Sequence, residues 1–147
     1  MRRYSIIIPV YNRPDELEEL LGCLAVQTFR DFEVVVVEDG SKVKADEVVR
    51  SFEGKLDIKY FFKENGGQGF ARNHGFERAL GDYFILLDSD ALIEPDYLSI
   101  VDDRLNTDYV DLYGGPDTDH PSFSPIQKAI SYSMTSVFSS VVIRVLK

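Results

Sequence analysis

Two aspartates, Asp88 and Asp90, come directly after the continuously apolar stretch from Phe84 to Leu87. An unbroken apolar run of this length is typical of a buried central strand, and carboxylates at its end must meet water, a cation or a cationic side chain. Residues two apart in an extended chain point to the same side, so both carboxylates can reach one ion. Oxygen ligands suit Mg²⁺ or Mn²⁺, and Ser89 between them is small enough to leave room for a ligand. A strand-end turn rich in aspartate, with no such function, is the alternative.

A glycine-rich segment from Asn65 to Gly69 precedes a predicted helix and forms a second candidate site. Its three glycines allow the backbone to approach a ligand closely, and Arg72 adds positive charge. Together they predict a phosphate cradle built from free backbone amides, although the Gly-Lys-Ser/Thr ending of the nucleotide P-loop is absent. His74 is interpreted as a packed or capping residue, because two histidines and one cysteine that lie far apart provide no zinc-ligand spacing.

Alternating strands and helices must position these groups. The predicted strands cover residues 4–10, 32–37, 58–62, 84–87 and, with a weaker pattern, 109–113. The predicted helices open at Pro14 and cover residues 45–52, 70–80, 95–105 and, after a loop, 128–144. Leu17, Leu20, Leu21 and Leu24 form a core-facing stripe on the first helix, and Phe70, His74 and Glu77 are predicted to share a face of the third.

This alternation predicts an α/β fold with a mostly parallel sheet and right-handed crossovers. Ligands bind such sheets beyond the carboxyl ends of the strands. Polar segments follow the predicted strands at residues 10–12, 38–41, 65–67 and 88–90. Their shared position favours a functional cleft over a purely structural explanation.

Composition and net charge limit the kinds of molecule that the protein can bind and the compartment in which it is expected. The net charge of −9 over 147 residues argues against a nucleic-acid binder. A single cysteine, Cys23, excludes a disulfide framework and indicates a reducing compartment. We expect a cytoplasmic protein, with a peripheral position at the inner face of a membrane as a variant, because neither a signal peptide nor an apolar run long enough to span a bilayer is evident.

The strand-end segments resemble the successive motifs of family 2 glycosyltransferases. The resemblance covers roughly residues 4–115. It is carried by motifs in matching order: Ile7-Ile8-Pro9-Val10-Tyr11-Asn12, Val36-Val37-Glu38-Asp39-Gly40-Ser41, Asn65-Gly66-Gly67 with Ala71-Arg72-Asn73-His74-Gly75, and Gly81-Asp82-Tyr83 with Leu87-Asp88-Ser89-Asp90. It implies a GT-A fold, a Rossmann-like three-layer α/β/α arrangement. It also implies inverting transfer of a sugar from a nucleotide diphosphate donor with Mn²⁺ or Mg²⁺, in reactions such as polysaccharide biosynthesis.

The resemblance also implies roles for single residues. The nucleotide-sugar site it implies consists of Pro9, Val10, Asn12, Asp39, Gly66, Gly67, Arg72, Asp88 and Ser89. Asp39 would accept a hydrogen bond from the base, and Arg72 would approach the base or the diphosphate. Asp90 would be the principal metal ligand, with Asp88 beside it. Glu38 stands where the family usually has an aspartate, which preserves the charge.

The expected donor is a uridine diphosphate sugar, and the expected acceptor is a hydroxyl of a glycan, a lipid-linked molecule or another compound. Residues 1–115 are assigned to the nucleotide-sugar-binding core and residues 116–147 to a partial acceptor-side segment of the same domain. The family's catalytic base lies further along its chains, and Asp117 and Asp119 are poor substitutes. The catalytic residue is therefore unknown, and self-association into a homo-oligomer is a subsidiary expectation.

Two alternatives remain open from the residues. The chain could be a catalytically incomplete fragment that binds nucleotide sugar without transferring it. Asp88-Ser89-Asp90-Ala91-Leu92 also resembles the aspartyl nucleophile motif of haloacid-dehalogenase-like phosphatases. That motif normally follows the first strand of its domain rather than the fourth, and Leu92 stands where it usually has a threonine or valine.

Overall fold

The computed structural model describes residues 3–108, 110, 112–113 and 142–143. Strands and helices alternate through most of this region. The elements are, in chain order, β1 Tyr4–Val10, α1 Pro14–Ala25, β2 Phe32–Asp39, α2 Asp46–Phe52, β3 Ile58–Lys63, α3 Gln68–Phe76, β4 Tyr83–Leu86, α4 Tyr97–Thr107, β5 Leu112–Tyr113 and β6 Val142–Ile143.

Four strands form one sheet in the order β3-β2-β1-β4, and every neighbouring pair is parallel. Tyr4 pairs with Phe32 on one side and with Tyr83 on the other, so β1 lies at the centre. The chain moves outward from β1 to β2 and β3, then crosses back to place β4 on the opposite side of β1. The strand order therefore reverses between β1 and β4, where open α/β sheets form a binding crevice.

Helices cover both faces of the sheet. One core cluster joins alternate residues of β1 and β2, such as Ile6 and Val34, to α1, α2 and α4. The second joins the intervening residues, such as Ile7 and Val35, to Ala71 of α3. The three-layer α/β/α prediction is confirmed, and the near-continuous burial of β1 and β2 follows from this coverage.

Helix α1 forms as its sequence predicts. Pro14 occupies the first turn, where its missing N–H costs no hydrogen bond, and Asp15 and Glu16 lie at the positive end of the helix dipole. Its four leucines, Leu17, Leu20, Leu21 and Leu24, are all fully buried. The predicted stripe is confirmed, and it fixes α1 against β1 and β2.

Helix α3 differs from its prediction in both its bounds and its buried face. It covers Gln68–Phe76 instead of 70–80, and its buried residues are Ala71 and Gly75. Phe70 is 68% exposed. A Cβ atom on Gly75 would lie 2.5 Å from Cγ2 of Ile7, so the helix backbone packs directly on β1. Small residues make this close approach, and they are not among Phe70, His74 and Glu77, the residues predicted to share a face.

A buried carboxylate explains where the chain turns after α3. Glu33 of β2 accepts hydrogen bonds from Ser5 Oγ at 2.6 Å, Lys59 Nζ at 2.7 Å and the amide of Leu80 at 2.5 Å. Ser5 Oγ in turn accepts the amide of Gly81 at 2.8 Å. These bonds satisfy backbone amides that the predicted helix would have used internally, and they lead the chain into β4.

The loop between β4 and α4 is held by Gln27, which is fully buried. Its Nε2 donates to the carbonyl of Glu94 at 2.7 Å, and its Oε1 accepts the amide of Leu98 at 3.1 Å. The predicted apolar stripe of α4, Leu98, Val101 and Leu105, is buried as expected.

Beyond α4, the described residues form the antiparallel pair β5 and β6. β5 agrees with part of the weak strand predicted at 109–113. Val142–Ile143 is a strand, so the predicted helix over 128–144 is wrong at these two residues; its remaining residues, and the loop that contains Asp117 and Asp119, lie outside the described residues. Among the helices that the structure describes, none has the length and apolar character needed to cross a membrane.

Candidate functional site

A cavity of about 390 Å³ opens at the carboxyl ends of the strands, where the strand order reverses between β1 and β4. Its walls come from β1, β2, the segment before α3 and the segment after β4. The lining residues are Pro9, Val10, Tyr11, Arg13, Asp39, Asn65, Gly67, Gln68, Asp88, Ser89 and Asp90. The four polar segments singled out in the sequence therefore all contribute to one site.

Asp39, the last residue of β2, binds the glycine-rich segment directly. Its Oδ1 accepts the amide of Gly66 at 3.0 Å, and its Oδ2 accepts the amide of Gly67 at 2.8 Å. Lys63 Nζ also donates to Oδ1, at 2.5 Å. The prediction that the Gly66 and Gly67 amides are free for a phosphate is therefore wrong: they are used to hold the Asp39 carboxylate.

These contacts set the charge state of Asp39. Burial alone would raise the pKa of its carboxyl, but the Lys63 ammonium and the two glycine amides outweigh burial and lower the pKa below its ordinary value. The residue is 4% exposed. A buried, ionised carboxylate thus lies at one wall of the cavity, with Oδ2 accepting one hydrogen bond fewer than Oδ1 from the described residues.

The turn after β2 approaches the glycine-rich segment so closely that it requires Gly40. A Cβ atom on Gly40 would lie 2.4 Å from the amide nitrogen of Asn65, and its φ of +72° also favours glycine. Asn65 Nδ2 donates to the carbonyl of Asp39 at 2.9 Å. The ends of β2 and β3 are therefore fastened together on one side of the cavity.

Glu38 supports the same turn from the opposite face of the sheet. Its fully buried carboxylate accepts the hydroxyl of Ser41, the amide of Ala45 at 2.8 Å and the hydroxyl of Tyr60 at 3.1 Å. Glu38 thus organises the connection to α2 and leaves Asp39 as the carboxylate that faces the cavity.

Asn12 connects the end of β1 to this turn. Its Oδ1 accepts the amides of Lys42 at 2.7 Å and Val43 at 3.2 Å, and its own amide donates to Ser41 Oγ at 2.7 Å. Asn12 adopts a positive φ of 54°, a region where asparagine is enriched among residues other than glycine. Its side chain binds the turn after β2, whereas the adjacent Tyr11 and Arg13 line the cavity.

Asp88 is oriented by two donors from α3. Gln68 Nε2 and an Arg72 guanidinium nitrogen donate to the same oxygen, Oδ1, at 2.7 Å and 2.8 Å. Nε of Arg72 is buried and has no hydrogen-bond partner in the part of the chain that the structure describes. An unpaired buried donor is costly, and Nε can donate one hydrogen bond to an acceptor that reaches it.

Asp90 lies in the cavity wall beside Asp88 and Ser89 and is exposed. Arg13, on the same wall, donates to both oxygens of Glu16 at 2.9 Å. The hydrogen bond and charge of Glu16, with a smaller contribution from Asp90, raise the pKa of the Arg13 guanidinium. Two arginines thus accompany the carboxylate pair, one from α3 and one preceding α1.

The carboxylates of Asp88 and Asp90 both retain oxygens that could bind an ion. Oδ2 of Asp88 and both oxygens of Asp90 accept no hydrogen bond from the described residues. No cluster of three or more histidine, cysteine or acidic side chains that could hold an ion occurs within that part of the chain. Mg²⁺ typically binds through one or two carboxylates plus substrate phosphates, so the number and type of oxygen donors here are compatible with such an ion.

Most of the predicted site residues meet in this cavity. Pro9, Val10, Asp39, Gly67, Asp88, Ser89 and Asp90 line it. Gly66 and Arg72 instead hydrogen-bond to Asp39 and Asp88, which line it, and Asn12 binds the turn after β2. Their contacts with a ligand stay predictions. His74 packs edge-to-face on Phe61, with ring centroids 6.1 Å apart, in agreement with its interpretation as a packed residue.

The sequence analysis missed Lys63 and Gln68 as functional candidates. Lys63 ends a strand immediately before the glycine-rich segment, and Gln68 lies one helical turn before Arg72. Both positions could have been found by asking which polar side chains are adjacent to the predicted carboxylates. Neither belongs to the motifs that carried the resemblance.

Comparison with known proteins places the chain among glycosyltransferases. The model of "Glycosyl transferase family 2" matches residues 5–139. An uncharacterized glycosyltransferase of Rickettsia typhi is 44% identical over 91 residues, which are 62% of this chain and 28% of that protein. Validoxylamine A glucosyltransferase of Streptomyces hygroscopicus subsp. jinggangensis is 45% identical over 101 residues, 66% of this chain and 24% of that protein. The chain thus spans about a quarter of the length of these relatives.

Solved structures give the same result. S. aureus TarS 1–349 in complex with UDP matches with a TM-score of 0.77 and 29% identity, covering 83% of this chain and 37% of that one. The mannosyltransferase PcManGT from Pyrobaculum calidifontis, in complex with GDP-Man and Mn²⁺, matches with a TM-score of 0.70 and 28% identity, covering 76% and 35%. These similarities confirm the GT-A fold and favour a glycosyltransferase over a phosphatase of the haloacid-dehalogenase type.

Proposed function

The chain belongs to glycosyl transferase family 2, and from that premise we propose that it binds a nucleotide diphosphate-sugar in the strand-end cavity for inverting transfer of the sugar to an acceptor hydroxyl. One observation carries the proposal. Asp39, Asp88 and Asp90 line one cavity where the strand order reverses, and Arg72 is bonded to Asp88 beside it, which supports a shared role in donor binding.

The nucleoside is proposed to lie against Pro9, Val10 and Asp39, with Asn12 shaping the wall. Oδ1 of Asp39 already accepts two hydrogen bonds, whereas Oδ2 accepts one, from Gly67. A carboxylate oxygen has about two lone-pair sites, so Oδ2 retains capacity for a base N–H. Gly66 and Gly67 contribute by fixing this carboxylate, because their amides are already engaged.

The diphosphate is proposed to approach Arg72. Its side chain is 32% exposed and bonded to Asp88, which lines the cavity, and a phosphate oxygen is a strong acceptor for a guanidinium N–H. As negative charge develops on the departing diphosphate, a guanidinium already fixed by Asp88 stabilises that charge without reorganising. Arg72 therefore binds the donor and assists the departure of the leaving group.

Asp90 and Asp88 are proposed to hold Mn²⁺ or Mg²⁺, with Ser89 beside the ligand. When bound, such an ion supplies a positive charge that stabilises the leaving diphosphate. The exposed Asp90 has both oxygens available, and Asp88 has one. The acceptor is proposed to be a hydroxyl of a glycan or of a lipid-linked molecule, activated by a base that the described residues do not identify.

A uridine diphosphate sugar is the proposed donor. TarS structures contain UDP and UDP-GlcNAc, and PcManGT contains GDP-Man. Uracil and guanine both carry a ring N–H that the free acceptor capacity of Asp39 suits. The greater similarity to the UDP-bound structure favours uridine.

Calorimetry with UDP, GDP, CDP and ADP, each with and without Mn²⁺, tests donor binding. We expect UDP to bind most tightly and Mn²⁺ to strengthen binding. Incubation with radiolabelled UDP-sugars and a panel of hydroxyl acceptors then tests transfer. Absence of nucleotide binding would contradict the proposed site, whereas binding without transfer to any acceptor would support the nucleotide-sugar-binding alternative.

A further inference from the structure

Resting on the proposed function, we propose that Gln68 is a positioning residue that limits Asp88 to one available oxygen and thereby makes the site prefer Mn²⁺ or Mg²⁺ over Ca²⁺. Gln68 is the first residue of α3, and Arg72 follows it one helical turn later. Residues four apart on a helix share a face, so both side chains reach the end of β4 together.

The two donors converge on a single acceptor atom. Gln68 Nε2 lies 2.7 Å and the Arg72 guanidinium 2.8 Å from Oδ1 of Asp88. Two hydrogen bonds occupy the two lone-pair sites of that oxygen. Oδ2 accepts none from the described residues and is the oxygen left for a cation.

Of the two donors to Asp88, Gln68 is the one that can be substituted without other effects on the site. If only Arg72 held Oδ1, that oxygen would regain acceptor capacity and the carboxylate could rotate to offer both oxygens. Arg72 also contributes charge and is proposed to contact the diphosphate, so its removal changes several properties at once. Gln68 is neutral, and its exposed hydrogen bond contributes little to folding.

The number of available oxygens bears on which ion binds. Ca²⁺ takes six to eight oxygen ligands in flexible geometry and accepts bidentate carboxylates readily, whereas Mg²⁺ demands near-octahedral geometry. Mn²⁺ likewise suits octahedral oxygen sites. Asp90 can still offer both oxygens, so holding Asp88 to one free oxygen removes one of the two bidentate carboxylates that Ca²⁺ could otherwise use, and this disfavours Ca²⁺ relative to the smaller ions.

The experiment compares the parent chain with Gln68→Met, which keeps side-chain length without the donor, and Gln68→Ala. Electron paramagnetic resonance measures Mn²⁺ binding in the presence of UDP, and competition measures Ca²⁺ binding. Ser51→Ala on α2 is the control, because Ser51 is neutral, exposed and outside the cavity. Thermal unfolding of each variant verifies the fold.

We expect both Gln68 variants to weaken Mn²⁺ binding by about threefold to tenfold, the loss of one exposed hydrogen bond, with Ca²⁺ binding unchanged or tighter. The Ca²⁺-to-Mn²⁺ affinity ratio should rise in these variants and not in Ser51→Ala. If the Gln68 variants kept the parent's Ca²⁺-to-Mn²⁺ affinity ratio, either by binding both ions as the parent does or by losing affinity equally for both, the role of Gln68 would be overturned. The proposed function would stay intact. Failure of the parent chain to bind Mn²⁺ with UDP would overturn both.

Discussion

Lys63 Nζ lies 2.5 Å from Oδ1 of Asp39, at the point where β3 ends and the glycine-rich segment begins. Asp39, at the end of β2, also accepts hydrogen bonds from the backbone amides of Gly66 and Gly67. One carboxylate therefore joins the ends of two strands and fixes the segment that leads into α3. Asp39, which is proposed to bind the nucleobase, therefore also holds the cavity wall around it in place.

Asp39→Asn should weaken UDP binding by about 1–3 kcal/mol, because the base N–H loses a charged acceptor and the glycine-rich segment loses its anchor. Calorimetry at fixed Mn²⁺ concentration measures the change. Asp103→Asn, an exposed aspartate of α4 outside the cavity, is the control and should bind as the parent does. Equal affinity for both variants would remove Asp39 from the nucleoside site.

The chain should lose stability on acidification through Asp39 and Glu33. Burial opposes ionisation of Glu33, but Lys59, Ser5 and the amide of Leu80 outweigh it and lower the pKa. The pKa of Asp39 is likewise lowered. A carboxyl whose pKa is lower in the folded state stabilises fully above its ordinary pKa, which is 4.5 for Glu33 and 3.8 for Asp39, and this contribution is lost as pH falls through the lowered folded values.

Urea unfolding at a series of values between about pH 6 and pH 3 measures this dependence. Glu33→Gln should be less stable than the parent near neutral pH by about 1–3 kcal/mol, since Lys59 loses its anionic partner, and should show a shallower decline in acid. A decline as steep as that of the parent would show that Glu33 is not one of the groups responsible.

Asp90→Ala should abolish the strengthening of nucleotide binding by Mn²⁺ with little effect on folding. Asp90 is exposed and accepts no hydrogen bond from the described residues, so its removal leaves no buried group unsatisfied. Calorimetry with UDP, with and without Mn²⁺, measures the first effect and thermal unfolding the second. If Mn²⁺ strengthened UDP binding equally in the variant, Asp90 would not be the metal ligand.

The sheet was predictable from the sequence because its strands carry a strong signal. β1 and β2 are rich in β-branched residues, and each strand is followed abruptly by a polar segment. The carboxyl ends of parallel strands meet at one edge, so the positions of Asp39 and Asp88 in a shared site followed from the fold class alone.

The face of α3 was not predictable in the same way. The sequence pattern places Phe70, His74 and Glu77 on one face, whereas the helix packs through Ala71 and Gly75 because the sheet approaches its backbone closely. Glu33 and Gln27 were missed for a related reason. Each is a single polar residue whose partners, such as Lys59 and Glu94, are distant in sequence, so local patterns cannot show that its hydrogen bonds are satisfied.

Gly81 and Gly22 have opposite surroundings. A Cβ atom on Gly81 would lie 2.7 Å from both the amide nitrogen of Ser5 and the carbonyl carbon of Tyr4, which are backbone atoms of β1. A Cβ atom on Gly22, within α1, would meet nothing within 4 Å. Gly81→Ala should therefore destabilise the chain by about 1–3 kcal/mol, because β4 must move away from β1. The hydrogen bond from the Gly81 amide to Ser5 Oγ would also be disturbed. Gly22→Ala should stabilise it by about 0.5–1 kcal/mol, since alanine loses less conformational entropy in a helix. Urea unfolding of the two variants measures both effects, and equal stability of Gly81→Ala and the parent would show that the close approach of residue 81 to β1 does not exist in solution.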